Sequence, residues 1–149
     1  MGKINLGRVL MGGLLAGLII NIGEFILNGV LLAEEMNAAM AALNKPPIDP
    51  GMIVWFVAFG FGLGLMLVWV YAAMRPRMGP GIKSAICASA IVWGLSYLYP
   101  NLFMIVIGFF PRDMMVIVTA WGLVELMIAG IAGAWLYTET TAIVATEPF

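Results

Sequence analysis

Apolar residues run along this chain in four long blocks, each separated from the next by a short cluster of proline, glycine and charge. The blocks cover 9–32, 52–73, 82–99 and 114–137. About 20 apolar residues in an α-helix cross the hydrocarbon core of a bilayer. The pattern therefore predicts an all-α fold: one polytopic membrane domain over 1–149 with four transmembrane helices, ending in a tail at 138–149. The third block is the shortest. Pro100 and Asn101 follow it, then a second apolar run over 102–110. The expectation is a helix that kinks at Pro100 and continues to 110.

The boundaries carry their own signals. Asp49 followed by Pro50 reads as an N-cap with proline at the first helical position. Asp113 is expected to cap the fourth helix. The stretch Arg75-Pro76-Arg77-Met78-Gly79-Pro80-Gly81 reads as a tight loop throughout. Residues 34–43, EEMNAAMAAL, are good helix formers, with no proline or glycine between Val30 and Asn44. The first helix is thus expected to run on out of the bilayer, with Met36, Met40 and Leu43 as an apolar stripe that packs on the outer loop or offers a surface to a partner. The tail from Thr138 to Phe149 is expected to order only against a partner.

Composition sharpens the picture. The chain is 63% hydrophobic and 10% charged, with mean hydropathy +1.05. Soluble domains carry about 25% charge, so a water-soluble globular fold is excluded. A net charge of −1 points to neither a nucleic-acid partner nor a polybasic lipid hook. With four spans, Lys3, Arg8, Arg75, Arg77 and Lys83 fall on one side, and Lys45 and Arg112 on the other. That bias predicts cytoplasmic termini. Trp55, Trp69, Tyr71, Trp135 and Tyr137 fall near segment ends, where interfacial aromatics are expected. The first apolar block is longer than the core of a signal peptide, so it reads as a retained first span.

Missing residue types exclude chemistries. There is no histidine, which removes Ser-His-Asp and Cys-His nucleophilic sites, His-bearing zinc centres and His-ligated haem. The single cysteine, Cys87, permits no intrachain disulfide and is expected to be a small buried apolar residue. Asp49 and Asp113 both lie at segment ends, so no intramembrane aspartate pair exists. The expectation is a protein that is not an enzyme and holds neither cofactor nor metal.

Two residues are out of place. Glu24 and Glu125 are the only charges well inside spans. A charge at mid-bilayer costs about 2.5–3.5 kcal/mol on insertion scales, so each must face protein or water. At 100° per residue, Gly13, Gly17, Asn21, Glu24 and Asn28 fall on one arc of about 80° of the first helix. Gly122, Glu125, Ala129, Ala132 and Gly133 share an arc of about 100° on the fourth. Small residues at such spacing permit close backbone approach. The depth offset between the carboxyls is about 6 Å, so they are expected to meet across a contact between the first and fourth helices. Asn21 and Asn28 are expected to extend the pair into a hydrogen-bonded ladder. Gly60 and Gly64 form a G-x-x-x-G pair on the second helix that can serve another chain.

The elements GG-x-x-x-G, N-I-G-E and N-G in the first span, carried by Gly12, Gly13, Gly17, Asn21, Ile22, Gly23, Glu24, Asn28 and Gly29, resemble the first helix of small four-helix bacterial integral-membrane proteins. The resemblance covers about a sixth of the chain. It implies a multi-pass protein of the bacterial cytoplasmic (inner) membrane and brings no activity with it.

The functional expectation is a non-catalytic membrane protein that acts by helix association. It would form a homo-oligomer or serve as an accessory subunit of a larger membrane complex, respiratory and photosynthetic complexes included. Its partners would be the lipid bilayer and other membrane subunits or itself. In this view Glu24 and Glu125 are hydrogen-bond glue. The alternative is a small proton- or cation-coupled transporter or channel that uses both glutamates.

Overall fold

A computed structural model describes residues 4–138. Among the described residues, four helices are long and apolar enough to cross a membrane: Leu6–Leu31, Pro50–Met78, Ile82–Val106 and Arg112–Leu136. A short helix, Ala33–Ala42, follows the first. The proposed tail lies outside the described residues from 139 onward.

The helix ends follow local chemistry. Asn5 caps the first helix by accepting from the Arg8 N–H at 3.2 Å. Asp49 caps the second by accepting from the Gly51 N–H at 2.6 Å, ahead of Pro50. Three expectations are corrected. The 75–81 stretch is not all loop, because the second helix runs through Pro76 to Met78. Proline's fixed φ is already helical, and its missing N–H removes one bond only a turn from the end. Gly79, at φ 82°, then stops the helix while its N–H bonds to the Arg75 carbonyl at 2.8 Å. Asp113 is not the cap of the fourth helix: Pro111 holds that position and Asp113 sits in the first turn, where its charge still favours the helix dipole. The first helix does not run on smoothly either. It widens into a π turn at Leu27–Leu31, breaks at Leu32 and restarts as Ala33–Ala42.

The third helix contains the second π turn, Gly94–Leu98, just ahead of Pro100. A π turn widens the backbone and accommodates a proline that an α-helix interior would reject. The helix carries on to Val106 and stops short of 110, with Gly108 at φ 67° turning the chain.

In the bundle, the first helix packs chiefly on the second and then the fourth, and the third packs on the fourth and the second. The main core gathers Ala16, Ile20, Leu67, Val68, Ala88, Leu126 and Ala129. A smaller cluster of Leu27, Leu32, Met114 and Met115 lies under the short helix, with Met36 packed against it. At the opposite end the beginning of the first helix meets the end of the fourth, as the Asn5 N–H donates to the Tyr137 hydroxyl at 3.3 Å. Tyr71 and Tyr137, near span ends, point into the bundle rather than outward. Each is 3% exposed, and their rings pack edge to face with centroids 5.9 Å apart. The Arg75 guanidinium sits 5.5 Å from the Tyr137 ring centroid, a cation–π placement. Trp55 and Trp135 are exposed on the outer surface. Cys87 is half-buried rather than buried.

Gly60 and Gly64 do not face outward to another chain. Both are buried, and they face the first helix of the same chain: Gly64 lies against the backbone of Gly13 and Gly17, and Gly60 against Asn21. Small residues on both helices let these backbones touch. Gly133 fits against Val68 and the Gly12 carbonyl, and Ala129 is fully buried in the core.

Candidate functional site

The chain places Glu24 on the first helix and Glu125 near the middle of the fourth, and both converge on a third residue, Tyr97. The Tyr97 hydroxyl donates to Glu24 Oε1 at 2.5 Å and lies 3.4 Å from Glu125 Oε1. The two Oε1 atoms are thus within about 6 Å of each other. Tyr97 reaches this position because the fourth helix makes room. A Cβ at Gly122 would lie 2.5 Å from the Tyr97 ring, so glycine there gives the phenol its slot. Gly23 does the same for Glu125, whose Oε2 lies where a side chain at 23 would begin.

The remaining carboxylate oxygens have partners as well. Asn28 Nδ2 donates to Glu24 Oε2 at 2.6 Å. Trp121 Nε1, one turn before Glu125, donates to Glu125 Oε2 at 3.0 Å. Glu24 therefore accepts at both oxygens. Glu125 has one firm donor, at Oε2, and only the long contact at Oε1. It is 6% exposed, while Glu24 and Asn28 are half-buried. Among the described residues, no Lys or Arg appears as a hydrogen-bonding partner of the cluster.

Asn21 belongs elsewhere. Its Nδ2 donates to the Gly17 carbonyl at 2.8 Å and to the Val57 carbonyl of the second helix at 3.3 Å. The ladder of Asn21, Glu24 and Asn28 is thus not formed. The stripe on the first helix divides by direction: Gly13, Gly17 and Asn21 face the second helix, whereas Glu24 reaches Tyr97 of the third and Asn28 bonds back to Glu24. An 80° arc on one helix is wide enough to touch two neighbours, which the arc alone does not disclose.

Both π turns border this cluster. Asn28 lies in the first and Tyr97 in the second. Such turns re-aim side chains and occur frequently at functional sites. Sequence reasoning missed Tyr97 and Trp121. The signals were there: a phenol well inside a span, where tyrosine is otherwise interfacial, and a Trp–Glu pair at i, i+4. A second network ties the third helix to the fourth. Asn101 Nδ2 donates to Thr119 Oγ1 at 2.9 Å, and Trp93 Nε1 donates to the Thr119 carbonyl at 2.9 Å. It contains no ionisable group and reads as structural.

No family model matches this chain, and no curated protein or solved structure matches it.

Proposed function

We propose that the protein is a small proton- or cation-coupled transporter or channel whose exchanging site is the Glu24–Tyr97–Glu125 cluster. The observation that carries this reading is the meeting of two carboxyls on one hydroxyl inside the spans, with no basic residue bonded to them among the described residues. Two carboxyls that meet on one hydroxyl, with no cation bonded to either among the described residues, leave a place for a proton or another cation between the helices. A hydroxyl has one proton to give and two lone pairs to accept. When Tyr97 donates to Glu24, its oxygen is placed to accept from a protonated Glu125, so a proton can be handed between the first and fourth helices through Tyr97. Pure glue needs no such three-way geometry. The association reading has also lost one support, since Gly60 and Gly64 are occupied within the chain.

The test is flux into proteoliposomes that enclose a pH-sensitive dye, driven by an imposed membrane potential. Wild type should acidify or alkalinise the lumen faster than empty vesicles, and Glu24→Gln should abolish that excess while the protein keeps its melting temperature. Equal flux in wild type and Glu24→Gln, or none above empty vesicles, would overturn the reading.

We further infer a bacterial inner-membrane location with both termini cytoplasmic, supported by the lysine and arginine bias. Lys45 and Arg77 are exposed at the ends of spans, so single cysteines there report sidedness in a background with Cys87 replaced by serine. A membrane-impermeant maleimide should label position 45 in intact cells and position 77 only after lysis. Labelling of 77 in intact cells would reverse the orientation.

A further inference from the structure

The outer surface of the bundle is apolar, as a lipid-facing surface must be, but it is not featureless. Between the first and fourth helices lies an open groove of about 660 Å³. Ile19 and Gly23 line it on one side, and Trp121, Val124 and Ile128 on the other. Glu125 also lines it, and among the described residues it is the only ionisable one that does. Ile128 and Val124 are 55% and 61% exposed, so the groove opens sideways on the face that meets lipid. Its size falls in the range of about 300–1,000 Å³ typical of small-molecule sites. We propose that this groove binds an amphiphilic organic ammonium ion, which enters from the bilayer and sets its charged head against Glu125. The proposal rests on the reading that the cluster exchanges a cation, and it names the class of cation.

Three features select this occupant. The first is charge: Glu24 and Glu125 bring two carboxyls and their bonded neighbours bring none of the opposite sign. An anionic head group would add to the repulsion. A neutral alcohol would satisfy a hydrogen bond but leave the charge unpaired, which is costly at this depth. The second is the free capacity of the acceptor. Glu125 Oε2 takes a single bond, from Trp121, and lies beside Gly23, whose missing side chain keeps the groove open to it. The third is the aromatic wall. Trp121 lines the groove next to the carboxylate, and an indole beside an anion is the combination that recognises organic ammonium groups. The apolar walls suit a hydrocarbon body, so head and tail are matched separately.

The geometry also explains why the ligand would come sideways. The groove faces lipid along its length, whereas both Glu24 oxygens already accept from Tyr97 and Asn28. An ammonium at Glu125 would compete with a proton for the same pair of carboxyls. Binding of one should then release the other.

The test uses the full chain in lipid nanodiscs, with radiolabelled dodecylammonium, whose N–H groups can donate to Glu125, as the probe and 1-dodecanol as its neutral competitor. The expected result is saturable binding of one probe per chain that dodecanol does not displace. Glu125→Gln should weaken it by about tenfold or more. Val124→Trp, at an exposed position away from the carboxyl, should weaken it by obstructing the groove. Having two variants guards against loss of fold in either one, and melting curves verify both. Binding that is unsaturable, displaced equally by dodecanol, or unchanged in Glu125→Gln would overturn the proposal. Proton flux measured without any ammonium separates the two readings. Flux intact with binding absent overturns the ammonium site alone, and binding intact with flux absent overturns the proton-exchange reading alone.

Discussion

Gly64→Leu is expected to unfold the bundle, at a cost of about 3 kcal/mol or more, whereas Gly62→Leu two residues away should leave stability unchanged or raise it by up to about 1 kcal/mol. The contrast comes from what a new Cβ would meet. At 64 it would collide with the Gly17 nitrogen and lie 2.6 Å from both the Gly13 carbonyl oxygen and the Gly17 Cα. All three are backbone atoms of the first helix, so no rotamer change relieves the overlap. The two helices must move apart, and the seats of Leu65 on Gly13 and Phe61 on Gly17 are lost with them. At 62 a Cβ meets nothing within 4 Å. Leucine is the better helix former at both positions, which works against the predicted loss and makes the comparison stringent. Equilibrium unfolding in mixed detergent micelles measures both. A Gly64→Leu protein that stays folded but loses self-association would instead restore the reading in which this face serves a second chain.

The four spans were legible because bilayer thickness imposes one length on every crossing helix, and apolar runs of that length have no soluble alternative. Capping at Asp49 was legible for a similar reason, since the chemistry is local. What failed was of two kinds. Proline inside a helix was read as a stop at 75–81, yet Pro76 is tolerated where the helix is about to end. Asn21 was assigned to the carboxyls by helical phase, yet its amide turns to Gly17 and Val57. Phase fixes the direction of a side chain to within a neighbour's width, and only the placement of the second and third helices decides which neighbour receives it. The same limit hid Tyr97. That Glu24 and Glu125 share a depth followed from counting residues along two helices. That a phenol from a third helix would sit between them depended on the slot at Gly122, a tertiary fact with no signature in either glutamate's own span.

Tyr97→Phe should separate glue from exchange more sharply than either glutamate substitution. It removes one oxygen and leaves the ring in its slot against Gly122. The Glu24 Oε1 atom then loses its 2.5 Å donor, and no hydroxyl links the two carboxyls. Leaving a buried acceptor unsatisfied costs about 1–3 kcal/mol, although polar bonds in membranes average nearer 0.6 kcal/mol. A stability loss of about 1–2 kcal/mol is therefore expected. It should shrink sharply in a Glu24→Ala background, since the hydroxyl then has only its long contact to Glu125 to lose. A double-mutant cycle measures that coupling, and additive losses would mean the Tyr97–Glu24 bond contributes nothing. The flux readout carries the larger effect. If Tyr97 is the step between the carboxyls, proton flux should fall by about tenfold or more while the folded fraction stays near wild type, because a general acid–base relay contributes about 10²–10⁴-fold where it operates. Glue makes the opposite prediction: stability falls and flux follows only the folded fraction. Wild-type flux per folded molecule in Tyr97→Phe would remove the hydroxyl from the path and leave Glu24 and Glu125 to exchange with the ligand side independently.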